Sequence, residues 1–263
     1  MKFVIVIDNR RAKETRPLFT IITCVLNAVD TIEDTISSVA KQTFDDFEYV
    51  VIDGGSSDGT LDVIRRHSEE IDYCISEPDQ GLYFGFNKGV KLARGRYIGI
   101  LNGDDSYKPY ALALVNDTII KHSKKDYIIY GGVSIIGEVS RDEFFHHLNI
   151  PTAMISHPAT FVASNIYQNV GMFNTEFKVA ADYEFIARCF MNGYEFIPIE
   201  KPLANYRPGG YSNRNWILSI KESIKIRKTL NNWKPSTAYL ILGRILLATG
   251  IHRAKKFVPK QSN

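Results

Sequence analysis

The chain has 263 residues, of which 44% are apolar, 23% charged and 12% aromatic. That mixture excludes intrinsic disorder, collagen-like repeats and an all-membrane protein, and the length suits one large α/β domain or two small ones. The formal net charge of +3 conceals an asymmetry: from Arg214 onward there are 11 Lys/Arg and one acid, Glu222, whereas residues 1–213 hold 21 bases and 28 acids. An acidic body argues against nucleic acid as a partner, and a basic, apolar-rich tail suits anionic lipid. Cys24, Cys74 and Cys189 are far apart and form no C-x-x-C pair. They argue against a disulfide scaffold or structural zinc and fit a reducing, cytoplasmic setting. Lys2–Ile7 is a short apolar run followed at once by charge, which is not a signal-peptide pattern.

Taken in chain order, residues 18–26 (LFTIITCVL) form a β-rich apolar run that reads as a buried strand. Asp30 and Glu33 have capping-box spacing, and Ile32, Ile36, Val39 and Ala40 give the following helix one apolar face. Phe47–Ile52 is the next strand, ending at Asp53. The turn-rich stretch Gly54 to Gly59 then leads into a helix through Leu61, Ile64 and Arg65. Ile71–Ser76 is a short strand, residues 82–93 a helix stopped by Gly95, and Arg96–Leu101 another strand that runs into Asn102-Gly103-Asp104-Asp105. The alternation predicts βαβ crossovers, a largely parallel sheet and ligands at the carboxyl ends of its strands. Beyond Tyr127–Ile136 the pattern is mixed, with a strand near Ala159–Val162 and a helix over Asp182–Met191.

The polar clusters fall where such a sheet would offer them. Asp104 and Asp105 follow an apolar strand, and adjacent carboxylates there suit either one hard divalent cation or a helix-capping turn. Asp53 precedes a glycine pair that lets a ligand approach the backbone. It is either an acceptor for a base or sugar or a turn residue. Asp58 reads as a helix cap. Asp182 and Glu184 sit at a helix start, where acids suit the dipole and where a carboxylate facing a cleft can also act as a general base. His157 is either structural or a ligand or base. The sequence lacks G-x-G-x-x-G at residues 54–59, a P-loop, H-E-x-x-H and a G-x-S-x-G elbow.

In order, these clusters resemble a family 2 glycosyltransferase of the bacterial polysaccharide-biosynthesis type. The likeness runs from Thr20–Thr23 and Asn27 through Ser38–Phe44, Glu48–Thr60, Ser76–Tyr83, Asn87–Gly89 and Gly95–Asp105 to His157 and Ala181–Glu184. It spans about residues 18–212. The resemblance implies a GT-A (Rossmann-like) α/β fold with a mostly parallel sheet flanked by helices. It implies an inverting, metal-dependent transfer from a nucleotide-sugar donor, usually a UDP-sugar, to a saccharide or lipid-linked saccharide. By the same resemblance Asp53 binds the donor's base beside Thr23, Val25 and Asn27, and Asp79 approaches the nucleotide and sugar. Asn102-Gly103-Asp104 occupies the family's Asp-x-Asp motif, so that Asp104 binds Mn²⁺ or Mg²⁺ next to Asp105, and Asp182 is the catalytic base. His157 and Glu184 fall on the acceptor side. Two positions depart from the common pattern: Asn102 replaces the first Asp of the motif, and Gly54 follows Asp53 where many members carry a second Asp.

Asn102 is the argument for an alternative, a binding protein that keeps the nucleotide-sugar site without catalysis. Asp104, Asp105 and Asp182 together argue for transfer. A nucleotidyltransferase would want a glycine-rich loop with a lysine near the first strand, and Thr23–Asn27 has neither. Residues 1–213 are expected to form the catalytic domain and 214–263 a basic, amphipathic helical extension. Within the latter, residues 238–251 are strongly apolar but too short and interrupted to span a bilayer. An interfacial helix on anionic lipid and helices packed on the catalytic domain are the two readings of that extension.

Overall fold

The apolar runs become strands of one sheet, and the amphipathic segments between them become the helices that cover it. The computed structural model describes residues 5–10, 16–122, 126–137, 140–151 and 153–230. The N-terminal half runs β1 (Ile5–Asp8), β2 (Phe19–Val25), α1 (Ile32–Ala40), β3 (Phe47–Asp53), α2 (Thr60–Arg66), β4 (Tyr73–Ser76), α3 (Leu82–Leu92) and β5 (Tyr97–Asn102). It continues through β6 (Ser106–Tyr107), α4 (Ala111–His122), β7 (Ile128–Ile135), β8 (Arg141–Glu143), β9 (Thr160–Ala163) and α5 (Ser164–Val170). The last elements are α6 (Ala181–Met191), β10 (Phe196–Tyr206), α7 (Tyr211–Arg214) and α8 (Trp216–Thr229). The expected 238–251 segment lies outside the described residues.

The sheet order is β1-β4-β3-β2-β5-β9-β7-β10-β6, with β8 on the edge of β7. Strands β4, β3, β2 and β5 are parallel neighbours, as the βαβ alternation predicts, and β7 and β10 form the longest parallel ladder. All seven residues of β2 are buried, because helices cover both faces of a parallel sheet. The second half departs from this pattern: β9 lies between β5 and β7, antiparallel to both. Strand β10 also returns antiparallel to the two-residue β6, with Asn205 opposite Ser106. That last pairing brings the chain after Tyr206 back to the turn that ends β5.

Two local expectations are corrected. The expected capping box of Asp30 and Glu33 does not form: the N-cap of α1 is Thr31, which makes no side-chain cap and whose hydroxyl donates to the Gly103 carbonyl at 2.7 Å, tying that helix to the turn after β5. Gly95 does not stop α3, which ends at Leu92 with Ala93 already extended. Gly95 is where two backbones touch: a Cβ there would lie 2.3 Å from the Thr20 nitrogen and 2.5 Å from the Phe19 carbonyl carbon. Beside it, Glu48 is wholly buried at the start of β3. It accepts from Thr20 Oγ1 at 2.7 Å, the Arg94 nitrogen at 2.6 Å and Arg94 Nε at 2.8 Å.

Gly95→Ala therefore has backbone, not a yielding side chain, to displace. Overpacking of this kind costs about 1–3 kcal/mol. Urea denaturation should show a lowered midpoint with an unchanged slope; an unaltered midpoint would mean that the contact relaxes freely.

Candidate active site

The carboxyl ends of β2, β3, β4 and β5 lie along one edge of the sheet, and the polar turns that follow them build the site. Asp53 closes β3 and is wholly buried. Its carboxylate accepts from the Gly55 and Ser56 nitrogens (both 3.1 Å), from Ser56 Oγ at 2.5 Å and from Ser76 Oγ at 2.6 Å. Those donors occupy the acid within its own turn and β4. Asn27, at φ +52°, completes the turn from the other side: its nitrogen donates to Ser56 Oγ (2.8 Å) and its Oδ1 accepts from the Ser57 nitrogen (2.9 Å). Asp58 is not the N-cap of α2 as expected, since Gly59 takes that position; it accepts from the Thr60 nitrogen at 3.0 Å and from the Val29 nitrogen at 3.1 Å, joining this turn to the segment after β2.

Asp79 is placed differently. It follows β4, is only half-buried, and its Oδ1 accepts from the Gly81 nitrogen at 2.9 Å. A Cβ on Gly54 would lie 2.8 Å from Asp79 Oδ2, and one on Gly85 would lie 3.4 Å from it. The two glycines thus make the space that this carboxylate fills. Lys88 and Glu77 pair beside it. Val25 closes the floor with its carbonyl, which accepts from the Gly54 nitrogen at 2.9 Å. Thr23 does not line the cleft as expected: it is fully buried, and its hydroxyl accepts from Tyr49 Oη at 2.9 Å inside the core.

At the end of β5 the Asn102-Gly103-Asp104-Asp105 turn faces the segment that follows β10. Asp105 is buried, and its carboxylate accepts from the Arg207 nitrogen at 3.1 Å. Burial and the neighbouring charge of Asp104 push its carboxyl up to about 7. Asp104 is half-buried and is raised by desolvation, while the charges of Arg207 and Arg214 pull it back down. A Cβ on Gly210 would lie 2.5 Å from Asp104 Oδ2, so the 207–214 segment folds closely over this acid. Arg207 is anchored in turn on Asp34 at 2.9 Å. Asn102 Oδ1 is buried with no hydrogen-bond partner. An orphaned buried oxygen beside a half-buried carboxylate is an all-oxygen donor set, which fits a hard divalent cation. Among the described residues, no group of three His, Cys, Asp or Glu side chains converges to hold a metal by itself.

The third part of the site is the start of α6. Asp182 is half-buried in its first turn, and Oδ1 accepts from Tyr83 Oη on α3 at 2.9 Å. Asp182 and His157 line a small cavity with Ile100, Val162 and Phe173. His157 stacks on Phe86 with ring centres 5.2 Å apart, and burial lowers its pKa against the attraction of Asp182, which keeps the imidazole neutral at pH 7. Glu184 does not serve the acceptor side as expected. Its carboxylate is held by both Arg188 Nε (2.7 Å) and Nη2 (2.9 Å), and Arg188 also donates to the Val170 and Met172 carbonyls.

Sequence reasoning missed Tyr83, Arg207 and Glu222. Glu222, on α8, is buried and accepts from the backbone nitrogens of Lys178, Val179 and Ala180 at 2.8–2.9 Å, immediately before Asp182. The signal was its isolation as the one acid of a basic tail. Hence the described part of the tail, residues 214–230, is packed on the catalytic domain. Arg227 of α8 donates to Tyr183 Oη at 3.2 Å.

Glu184→Gln should lower the thermal midpoint, since a charge-assisted pair of this kind contributes about 1–2 kcal/mol after allowing for partial exposure. Acceptor KM should stay within about twofold; a selective rise in acceptor KM would restore Glu184 to the acceptor side.

Comparison with known proteins gives the family and the fold. The family model described as Glycosyl transferase family 2 matches residues 20–186. A PGL/p-HBAD biosynthesis glycosyltransferase of Mycobacterium tuberculosis (strain ATCC 25618 / H37Rv) is 34% identical over 187 residues, 67% of this chain and 71% of that protein. The putative teichuronic acid biosynthesis glycosyltransferase TuaG of Bacillus subtilis (strain 168) is 36% identical over 96 residues, 35% of this chain and 38% of that protein. Among solved structures, S. aureus TarS 1-349 in complex with UDP-GlcNAc has a TM-score of 0.64 at 19% identity, over 75% of this chain and 60% of that one. The mannosyltransferase PcManGT from Pyrobaculum calidifontis, in complex with GDP-Man and Mn²⁺, has a TM-score of 0.63 at 18% identity, over 92% of this chain and 81% of that one. With the GT-A fold in place and the family model covering the sheet edge described above, the chain belongs to glycosyl transferase family 2.

Proposed function

We propose that this glycosyltransferase moves a sugar, with inversion, from a nucleotide-sugar donor to a hydroxyl of a saccharide or lipid-linked saccharide in cell-surface polysaccharide synthesis. The observation that carries the reading is the Tyr83–Asp182 hydrogen bond, which brings a carboxylate from α6 to the first turn of α3, directly after the Asp79–Gly81 turn. A UDP-sugar is the first donor to try, since a relative of the same fold was solved with UDP-GlcNAc.

In this reading the donor lies along the sheet edge, with its nucleoside toward β3 and β4 and its diphosphate toward β5. Asp53, with Asn27, fixes the turn under the nucleoside, and half-buried Asp79 presents its carboxylate above Gly54. Asn102 and Asp104 would hold a Mn²⁺ or Mg²⁺ ion, which supplies neutralisation of the leaving diphosphate when bound. Arg207 and Arg214 add positive charge to the same end of the site. Asp182 takes the proton from the acceptor hydroxyl as that oxygen attacks the anomeric carbon and the sugar–phosphate bond breaks. The neutral His157 and the ring of Phe86 keep the base in a water-poor pocket.

Tyr211, Trp216, Ile217 and Leu218 are exposed beside exposed Arg214 and Lys221. That patch supports peripheral contact with anionic lipid, and co-sedimentation with anionic vesicles should deplete the full chain from solution. Failure to sediment would end that part of the reading. No helix among the described residues is long and apolar enough to cross a membrane.

Calorimetry with UDP-, GDP- and dTDP-sugars, each with Mn²⁺ and with EDTA, should show one donor class bound in a metal-dependent way. Asp104→Ala should abolish the metal dependence. Asp182→Asn should keep donor binding and lose about 10²–10⁴-fold in turnover. Donor binding together with full turnover in Asp182→Asn would reject the base. Binding without turnover in the unaltered protein, with any acceptor offered, would favour a non-catalytic binder.

A further inference from the structure

Within the aromatic cluster behind Asp182, Tyr83 has no role of its own in the reaction as described so far. Tyr83 is 4% exposed; its ring packs edge-on against Phe86 at 5.3 Å and is stacked with Phe173 at 6.0 Å. A tyrosine this enclosed has one rotamer available, and its hydroxyl must find a polar partner there. The partner is Asp182 Oδ1, at 2.9 Å. Burial and the adjacent negative charge raise the Tyr83 phenol well above its ordinary range, so it stays protonated and donates.

We propose that Tyr83 is the positioning residue of the catalytic base, holding Asp182 Oδ1 so that Oδ2 faces the acceptor hydroxyl. The inference rests on the reading of Asp182 as the base. Two features make the contact more than a packing detail. First, Tyr83 lies two residues after Gly81, whose nitrogen binds Asp79 Oδ1, so one helix start carries both a donor-side carboxylate and the anchor of the base. A donor that orders the 79–81 turn therefore also fixes the position of the base. Second, among the described residues the other hydrogen bond to the Asp182 carboxylate is local, from the Tyr183 nitrogen to the same Oδ1 at 2.9 Å, which leaves Oδ2 for chemistry.

The test is Tyr83→Phe in the full chain, alone and combined with Asp182→Asn. The readout is UDP release from the donor that binds in calorimetry, with water as acceptor. Tyr83→Phe should keep donor affinity within about twofold and reduce kcat about tenfold, the scale expected for one hydrogen bond to a charged group. In the Asp182→Asn background the same change should cost nothing further, because Tyr83 acts only through that carboxylate. An unchanged kcat, or a loss that adds fully to that of Asp182→Asn, overturns the proposal. Full turnover by Asp182→Asn itself would instead reject the base reading on which it rests. Loss of donor binding by Tyr83→Phe would place Tyr83 in the scaffold and overturn it as well.

Discussion

A carboxylate taken out of water must be met by hydrogen-bond donors, and that constraint organises the working edge of this protein. Asp53, Asp105 and Glu222 are buried, and each is satisfied largely by backbone nitrogens and hydroxyls of a neighbouring segment. Asp53 fixes the turn after β3. Asp105 fixes the return of the chain after β10. Glu222 fixes the approach to α6. Each of those segments carries or adjoins one of the half-buried acids, Asp79, Asp104 and Asp182, that are open enough to meet a substrate. The buried set supplies architecture, and it is the half-buried set to which the proposed function assigns chemistry. Removing a donor to one of the first should therefore disturb the position of one of the second.

The same division explains why the tail and the catalytic domain are not separable along the chain. A basic, apolar segment with a single acid looks like a surface helix. Its acid, however, is spent on three backbone donors at the start of α6, and its Ile226 and Arg227 are buried. The exposed aromatic and aliphatic residues lie instead at the beginning of α8, together with Tyr211 of α7. Packing and surface contact thus belong to different stretches of one segment, and the helix has no single apolar stripe. Lys225 illustrates the boundary: it is exposed, yet its ammonium sits 4.9 Å from the centre of the Phe177 ring.

Much of the first 125 residues was legible because local signals agree there. Buried parallel strands are written as continuous apolar runs such as FTIITCV, and the turns between them as clusters of Gly, Ser and Asp. The second half was less readable because its order is set by long-range pairing: nothing local in Thr160–Ala163 says that it will insert between β5 and β7. The candidate site divides in the same way. The acids at strand ends could be listed from sequence, but not which of them would be satisfied internally. Thr23 was misjudged because alternation along β2 points its hydroxyl at Tyr49. Glu184 faces away from an acceptor because Arg188, one helical turn further on, holds it as an i,i+4 pair. Arg207 approaches Asp105 across 102 residues through the short β10–β6 pairing, for which the sequence holds no periodic signal.

Gly54 shows how a departure from a family pattern can be read physically. Where many relatives carry a second acid, this chain has no side chain, and the volume next to that backbone is filled by Asp79 Oδ2. An acid at residue 54 and an acid at residue 79 would compete for one space and repel each other, so the glycine and Asp79 belong together. Asp53 cannot supply the missing carboxylate, because its oxygens are already engaged by Gly55, Ser56 and Ser76. Next to residue 54 the space holds one half-buried carboxylate, delivered from the turn after β4 instead of the turn after β3. That turn also begins α3, which carries Tyr83 and through it the contact to Asp182. In the proposed function, the glycine at residue 54 therefore places nucleoside recognition and the anchor of the base on one continuous segment.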